Sequence, residues 1–526
     1  MNRCYAKRLS LRRLTLLLWL SSPCDSWAQI SLPGTQPLTV EGDLAAKMVD
    51  GIHVFLDRKI PEVQKERDQL WDRTDRLQFV TESRQRFRKI IGAVDNRVPL
   101  KALELVQTTS SPAQIATGRG FKVLRVRWPV FEGVHGEGLL LQPDGPPAAR
   151  IVAIPDADWT PEMLVGLTLG VPAAAQFARR LAESGCQVVV PTLIDRSPTW
   201  SGIPGVRMTN QPHREFLYRM SFEVGRHIIG YEVQKVLAVI DWFEQENDVR
   251  QVLTGVMGYG EGGLLALYAA ALDSRIDRTV VSGYFQSRQD LWKEPIYRDV
   301  WGLLREHGDA ELMALIAPSQ LIVEASAGPD ISGPPAETSD RKGATPNGRL
   351  QTSPLDLVKA EFERARHYRV SQDAPKLVIS GGGTGPPGSD AALKALLDST
   401  TYRLVPFERS ASPGDFQIAS TANLDSQVAA ERLKRQFDEL VNFTQKLVRE
   451  SPGHRGKFWS TAHASSPALW KQSTQAHRDF IWEEVIGRLP APSVAANPRS
   501  RLIYDEPKFR GYEVMLDVWP DVFAYG

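Results

Sequence analysis

The chain has 526 residues, 42% of them hydrophobic and 24% charged, with 63 Lys and Arg against 62 Asp and Glu. That length exceeds one ordinary domain and points to two or three, and the composition is that of a globular protein, without the bias of disorder or collagen. A net charge near zero gives no electrostatic case for nucleic acid or an anionic membrane surface as a partner.

The chain opens on a targeting segment. Arg3, Lys7, Arg8, Arg12 and Arg13 make a basic stretch, Leu14 to Leu20 an apolar core, and Ser26-Trp27-Ala28 a small-x-small cleavage site. Residues 1–28 therefore read as a signal peptide, its core too short for a stable span. The mature chain is expected to be exported, periplasmic or extracellular, with no membrane contact after cleavage. Ser22 and Pro23 fit a lipid-attachment site at Cys24 poorly. With Cys4 also in the leader, Cys186 stands alone in an apolar run, so neither a disulfide framework nor a cysteine metal site is expected.

Residues 39–115 read as a helical accessory region. Leu44, Met48, Ile52, Phe55 and Leu56 recur at helical spacing, and a second helix is expected over 77–94. From Phe121 to Trp128 apolar residues alternate with charged ones, and Gly138 to Gln142 supplies the partner of a hairpin. Buried strands follow at 150–155, 186–191, 252–257, 279–282, 321–325 and 376–380. Helices are expected at 174–184, 215–246 and 355–367. This alternation argues an α/β fold, a mostly parallel sheet with helices on both faces.

The stretch Val252 to Leu272 organises the rest. An apolar strand runs into Gly258-Tyr259-Gly260-Glu261-Gly262-Gly263 and then into a helical segment. Strand, glycine-dense turn and helix is the setting of a nucleophile elbow, G-x-S-x-G, where neighbouring side chains have no room. With the strand order, this resembles the α/β-hydrolase superfamily, and more closely its secreted bacterial dienelactone-hydrolase and acetyl-xylan-esterase-like members. The resemblance covers roughly residues 121–380. It implies a serine nucleophile at the elbow, an acid after the sixth or seventh strand, a histidine after the last, and acyl transfer on esters of carbohydrates or other carboxylic acids. Position by position, the nucleophile place holds Gly260. The loop after the last strand, Ser380-Gly381-Gly382-Gly383-Thr384-Gly385, has no histidine. Only the acid has candidates, Asp330 and then Glu324. The expected module is therefore non-catalytic. A rival reading makes Glu261 a carboxylate nucleophile with an unconventional base, against which Glu261 reads as a helix-start acid favoured by the helix dipole. A third makes the chain an interaction domain without a ligand pocket.

A polar cluster, Thr209-Asn210-Gln211-Pro212-His213-Arg214, precedes the helix expected over 215–246. Arg219, Glu223 and His227 follow at four-residue spacing, hence on one face. His213, Arg214, Arg219, Glu223 and His227 are candidates to line a site for a carbohydrate or ester ligand; the plainer reading is an ion-pair row. No histidine pair has metal-ligand spacing and no cofactor motif occurs in its required context, so no metal and no cofactor is expected.

The chain also repeats itself. Arg119-Gly120-Phe121 with Trp128-Pro129 returns as Arg510-Gly511-Tyr512 with Trp519-Pro520, Phe55 to Trp71 is echoed by Phe443 to Trp459, and Ile91-Gly92 by Ile486-Gly487. The expected division is therefore a hydrolase-like domain over 119–388, a connector over 389–422, and 423–526 as the helical region and first strand of an incomplete second module. A catalytic partner module is expected to supply the missing chemistry. The strand from Arg510 is expected to lack a hairpin partner.

Overall fold

The computed structural model describes residues 30–71, 76–107, 112–201, 211–333, 336, 339, 348–368, 375–398, 404–405, 416–419 and 426–526. The signal segment, and Thr209 and Asn210 of the polar cluster, lie outside them. Among the described residues no helix is long and apolar enough to cross a membrane. The chain divides into two units, one of residues up to Pro61 together with Arg488–Gly526, the other Glu62–Gly487.

The larger unit is built on an 11-stranded sheet. Strands Phe121–Phe131, Val134–Pro143, Ala149–Ile154, Gln187–Pro191, Leu253–Tyr259, Arg278–Ser282, Gln320–Ala325 and Lys376–Ile379 lie in the spatial order 1-2-4-3-5-6-7-8, counted from Phe121. The second is antiparallel to its neighbours; from the third onward all are parallel. Gln114–Gly118, Glu104–Leu105 and Gln417–Ile418, which have little apolar patterning, extend the hairpin edge.

Because successive strand residues face opposite sides, the central strands feed two cores. Val152, Ile154 and Val256 enter one, covered by helices Ile228–Val249 and Glu261–Leu272. Ile151, Ala153, Met257 and Tyr259 enter the other, under helices Phe177–Glu183 and Asp390–Leu397. Helix Glu261–Leu272 is buried at every residue, which is why its sequence is apolar all round. The α/β sheet with helices on both faces is thus as the sequence implies.

The expected accessory region over 39–115 does not hold together. Helix Leu44–Trp71 spans the division at Pro61, while helix Arg76–Ile90 sends Val80 and Phe87 into the main core. Residues 426–487, expected in a second module, fall in the larger unit. Helix Ser426–Phe458 packs on the hydrolase-like sheet through Phe437 and Leu440, and Arg432, Gln436 and Thr444 reach Glu162, Lys235 and Tyr231.

In the smaller unit a four-stranded sheet joins distant parts of the chain. Gln36–Pro37 pairs in parallel with Arg499–Glu506, which pairs with Phe509–Trp519, which pairs with Val522–Tyr525. The strand containing Arg510 to Trp519 therefore has partners on both sides, against the expectation of an unpaired edge. Its repeat partner has the same local form. Phe121–Phe131 and Phe509–Trp519 are both 11-residue strands central to an antiparallel meander. Gly92 and Gly487, the glycines of the other echo, both take positive φ just after a helical segment.

Candidate functional site

Strand Leu253–Tyr259 delivers the chain to a sharp turn at Gly260, φ +57°, before helix Glu261–Leu272 begins. The flanking glycines are sterically required: a Cβ on Gly258 would lie 1.9 Å from the Gly262 carbonyl oxygen, and one on Gly262 would lie 2.3 Å from that of Ile154. The elbow frame is intact.

Its contents are those of a buried ion-pair network. A Cβ on Gly260 would lie 2.5 Å from Oδ1 of Asp156 and 2.9 Å from Cγ of Pro329. The Glu261 backbone N–H, the group an elbow offers to an oxyanion, donates instead to Asp156 Oδ1 at 2.9 Å. Arg196 donates to both oxygens of Asp156, at 2.6 and 3.0 Å. Glu261 is fully buried; Arg298 donates twice to its Oε2, at 3.0 and 2.9 Å, Arg196 once at 3.2 Å, and Arg214 to Oε1 at 3.3 Å. Burial alone would raise both carboxyls. For Glu261, Arg298, Arg214 and Arg196 outweigh it and hold the group at about 2; Arg196 does the same for Asp156, also at about 2.

The acid candidates lie apart from any reacting centre. Glu324 is buried and accepts from Ser282 Oγ at 2.6 Å and from the backbone N–H groups of Gly388 and Ser389 at 2.7 and 2.8 Å, bracing the glycine loop. Asp330 is exposed, one residue beyond the Pro329 that closes over the elbow.

The polar cluster is not brought together on one face. The helix expected over 215–246 is two, His213–Phe222 and Ile228–Val249, broken where Gly225 takes φ +66°. His227 caps the second helix: its Nδ1 accepts from Ile229 N–H, and Nε2 lies 3.0 Å from the Asp299 carbonyl; burial pushes it down to about 4. Glu223 is exposed, and the exposed end of Arg219 pairs with the buried Glu215. Arg214 belongs to the elbow network, bridging Glu232 and Glu261. His213 is buried, stacked on Trp200 at 4.6 Å, with Nδ1 2.5 Å from Asp195 Oδ1. Arg219, Glu223 and His227 therefore do not share one helix face, and no ion pair links them among the described residues.

Asp156, Arg196 and Arg298 were not among the sequence candidates. The run Pro155-Asp156-Ala157-Asp158 at the end of a buried strand was the available signal, since charge at that point of a parallel sheet faces the crevice where such folds bind ligands. Arg196 and Arg298 carry no motif and meet the elbow only in three dimensions.

Beside the network, at the carboxyl ends of Ala149–Ile154 and Gln187–Pro191, lies a cavity of 1050 Å³. Trp159, Met163, Leu167 and Leu433 give it apolar walls; Asp195 and Thr192 also line it. Trp159 stacks on Tyr259 of the elbow strand, ring centroids 4.6 Å apart.

Among solved structures, a putative acetyl xylan esterase from Bacteroides fragilis is 16% identical, covering 59% of this chain and 76% of its own, with a TM-score of 0.41. A methylesterase is 12% identical over 76% of this chain and 81% of its own, TM-score 0.43. A glucuronoyl esterase from Solibacter usitatus is 14% identical over 62% and 91%, TM-score 0.39. Similarity at this level carries no argument about site or substrate. No curated protein sequence matches the chain. Residues 137–295, from the second hairpin strand through the elbow to the loop before Ile296, match the model of the dienelactone hydrolase family of α/β-hydrolases.

Proposed function

We propose that this chain is an exported protein of esterase-type α/β-hydrolase fold that has lost acyl transfer and binds a small organic ligand in the cavity beside its elbow. One observation carries the reading. The backbone N–H that would stabilise an oxyanion is already bound to the Asp156 carboxylate, and the same carboxylate stands 2.5 Å from where a nucleophile's Cβ would be. A buried carboxylate paired with Arg196 is costly to displace, and a substrate carbonyl would have to displace it. Without nucleophile, base and oxyanion site, the terms that give such enzymes rate factors on the order of a million are missing.

Glu261 fares no better as a nucleophile. Both its oxygens accept hydrogen bonds from arginines, so attack would break the network that holds the helix start. The ligand seat moves accordingly, from the dispersed polar cluster to the cavity.

The test has two arms. The purified chain should not hydrolyse p-nitrophenyl acetate or butyrate above Glu261→Gln, and small organic probes should quench or shift Trp fluorescence saturably. Turnover lost in Glu261→Gln would restore the enzymatic reading.

A further inference from the structure

Among the described residues, the cavity wall carries one carboxylate, that of Asp195, with no arginine or lysine paired to it. Of the acids on its wall, Glu162 is paired with Arg432 through two hydrogen bonds of 2.8 Å, and Asp158 with Arg196 at 2.9 Å. Asp195 has only the His213 ring beside it among the described residues. That ring is neutral: its Nε2 accepts from the Trp200 backbone N–H at 2.8 Å and so bears no proton, leaving the Nδ1 proton to be donated to Asp195 Oδ1. Asp195 thus meets a neutral ring rather than a cation, and stands a quarter exposed at the cavity wall.

The remaining walls are largely apolar, with the Trp159 indole steadied against Tyr259. A sugar would leave most of its hydroxyls facing Met163, Leu167 and Leu433 without partners. An ammonium group on an apolar or aryl body fits both features. Its charge answers Asp195, and its body covers the Trp159 wall, where the ring also favours a cation.

We propose that the cavity is a site for an organic ammonium cation, a protonated amine or quaternary ammonium on an apolar body. The proposal rests on the ligand-binding reading above and names its ligand class.

Three probes share one aryl body and differ in charge: 2-phenylethylammonium, 2-phenylethanol and phenylacetate, titrated into the full chain by calorimetry. The ammonium should bind on the order of tenfold tighter than the alcohol, and phenylacetate weakest. Asp195→Asn should erase the advantage of the ammonium and leave alcohol binding as it was. Ala430→Phe, which fills the cavity from helix Ser426–Phe458, should abolish all binding. Equal binding of the three probes by the wild type overturns the cation site and leaves the ligand-binding reading standing, whether or not the variants fold. A preference that survives Asp195→Asn, or binding that survives Ala430→Phe, overturns the placement. Binding of none of the three overturns both readings.

Discussion

Arg196 touches three carboxylates, those of Asp156, Asp158 and Glu261, and hydrogen-bonds Tyr297 with its remaining Nε–H at 2.7 Å. Such a buried cluster is stable only when complete, since removing one partner leaves the others desolvated and unpaired. Glu261→Gln should therefore lower stability by about 3 kcal/mol, read as a fall in the urea midpoint, while ester hydrolysis stays absent. Gly260→Ser should be no gain either: its Cβ meets Asp156, so the variant melts lower and still turns over no p-nitrophenyl acetate. The network also sets an acid limit. Asp156 and Glu261 sit at about 2 in the folded chain against ordinary values of 3.8 and 4.5, so their stabilisation is full above about 4.5 and is lost as pH falls toward 2. His227 and His307, both pushed down to about 4 by burial, lose theirs between 6.5 and 4. Asp299 and Asp309, raised by burial to about 7, act in the opposite sense: their cost is relieved as pH falls from 7 to 3.8. The two sets oppose each other above pH 4. Below it the elbow carboxylates act unopposed, and the melting temperature should drop steeply there, less so in Glu261→Gln.

At the level of elements, helix Ser426–Phe458 closes one wall of the cavity, with Arg435 paired to the buried Glu137 of strand Val134–Pro143 and Arg432 to the buried Glu162 of the short helix Pro161–Val165. Arg432→Met should cost about 3–5 kcal/mol, because Glu162 is left charged and buried, and it should weaken probe binding in the cavity. Arg366→Ala, in a pair with Glu363 that is exposed on both sides, should stay within about 0.5 kcal/mol of wild type by the same urea measurement. The contrast shows where the sequence was legible. Strands such as Leu253–Tyr259 and helix Leu355–His367 announced themselves by apolar runs and periodicity. The break at Gly225 did not, because the apolar spacing continues across it and only one glycine marks the turn. The four-residue spacing of Arg219, Glu223 and His227 implies one face only on an unbroken helix, and the helix stops at Phe222. The elbow frame was legible because glycine is the only residue its geometry admits. Its filling was not, because Asp156, Arg196 and Arg298 come from separate loops and become a site only when the sheet brings their ends together.

Across the whole chain, the repeat seen in sequence corresponds to a shared local form rather than to a stranded fragment, since both copies are centres of antiparallel meanders. The smaller unit holds its own apolar cluster of Leu38, Leu44 and Met515, with Phe55 stacked on Trp519 at 4.6 Å. Gln36–Pro37 pairs with Arg499 and Ser500, partners separated by more than four hundred residues of intervening chain. Synthesis delivers residue 36 long before residue 499 exists. Until then the early segment has no strand to join, and Leu38 and Leu44 have no Met515 to cover them. Closing so long a loop is also entropically slow to reward. The larger sheet draws on strands near one another in sequence and can assemble first. The small sheet is thus a seal, set only when the chain has been delivered through its last strand. In pulsed hydrogen exchange during refolding, the amides of Gln36 and Leu38, which donate to the Pro498 and Ser500 carbonyls, should gain protection after those of 254–258. Simultaneous protection would show that the seal does not wait.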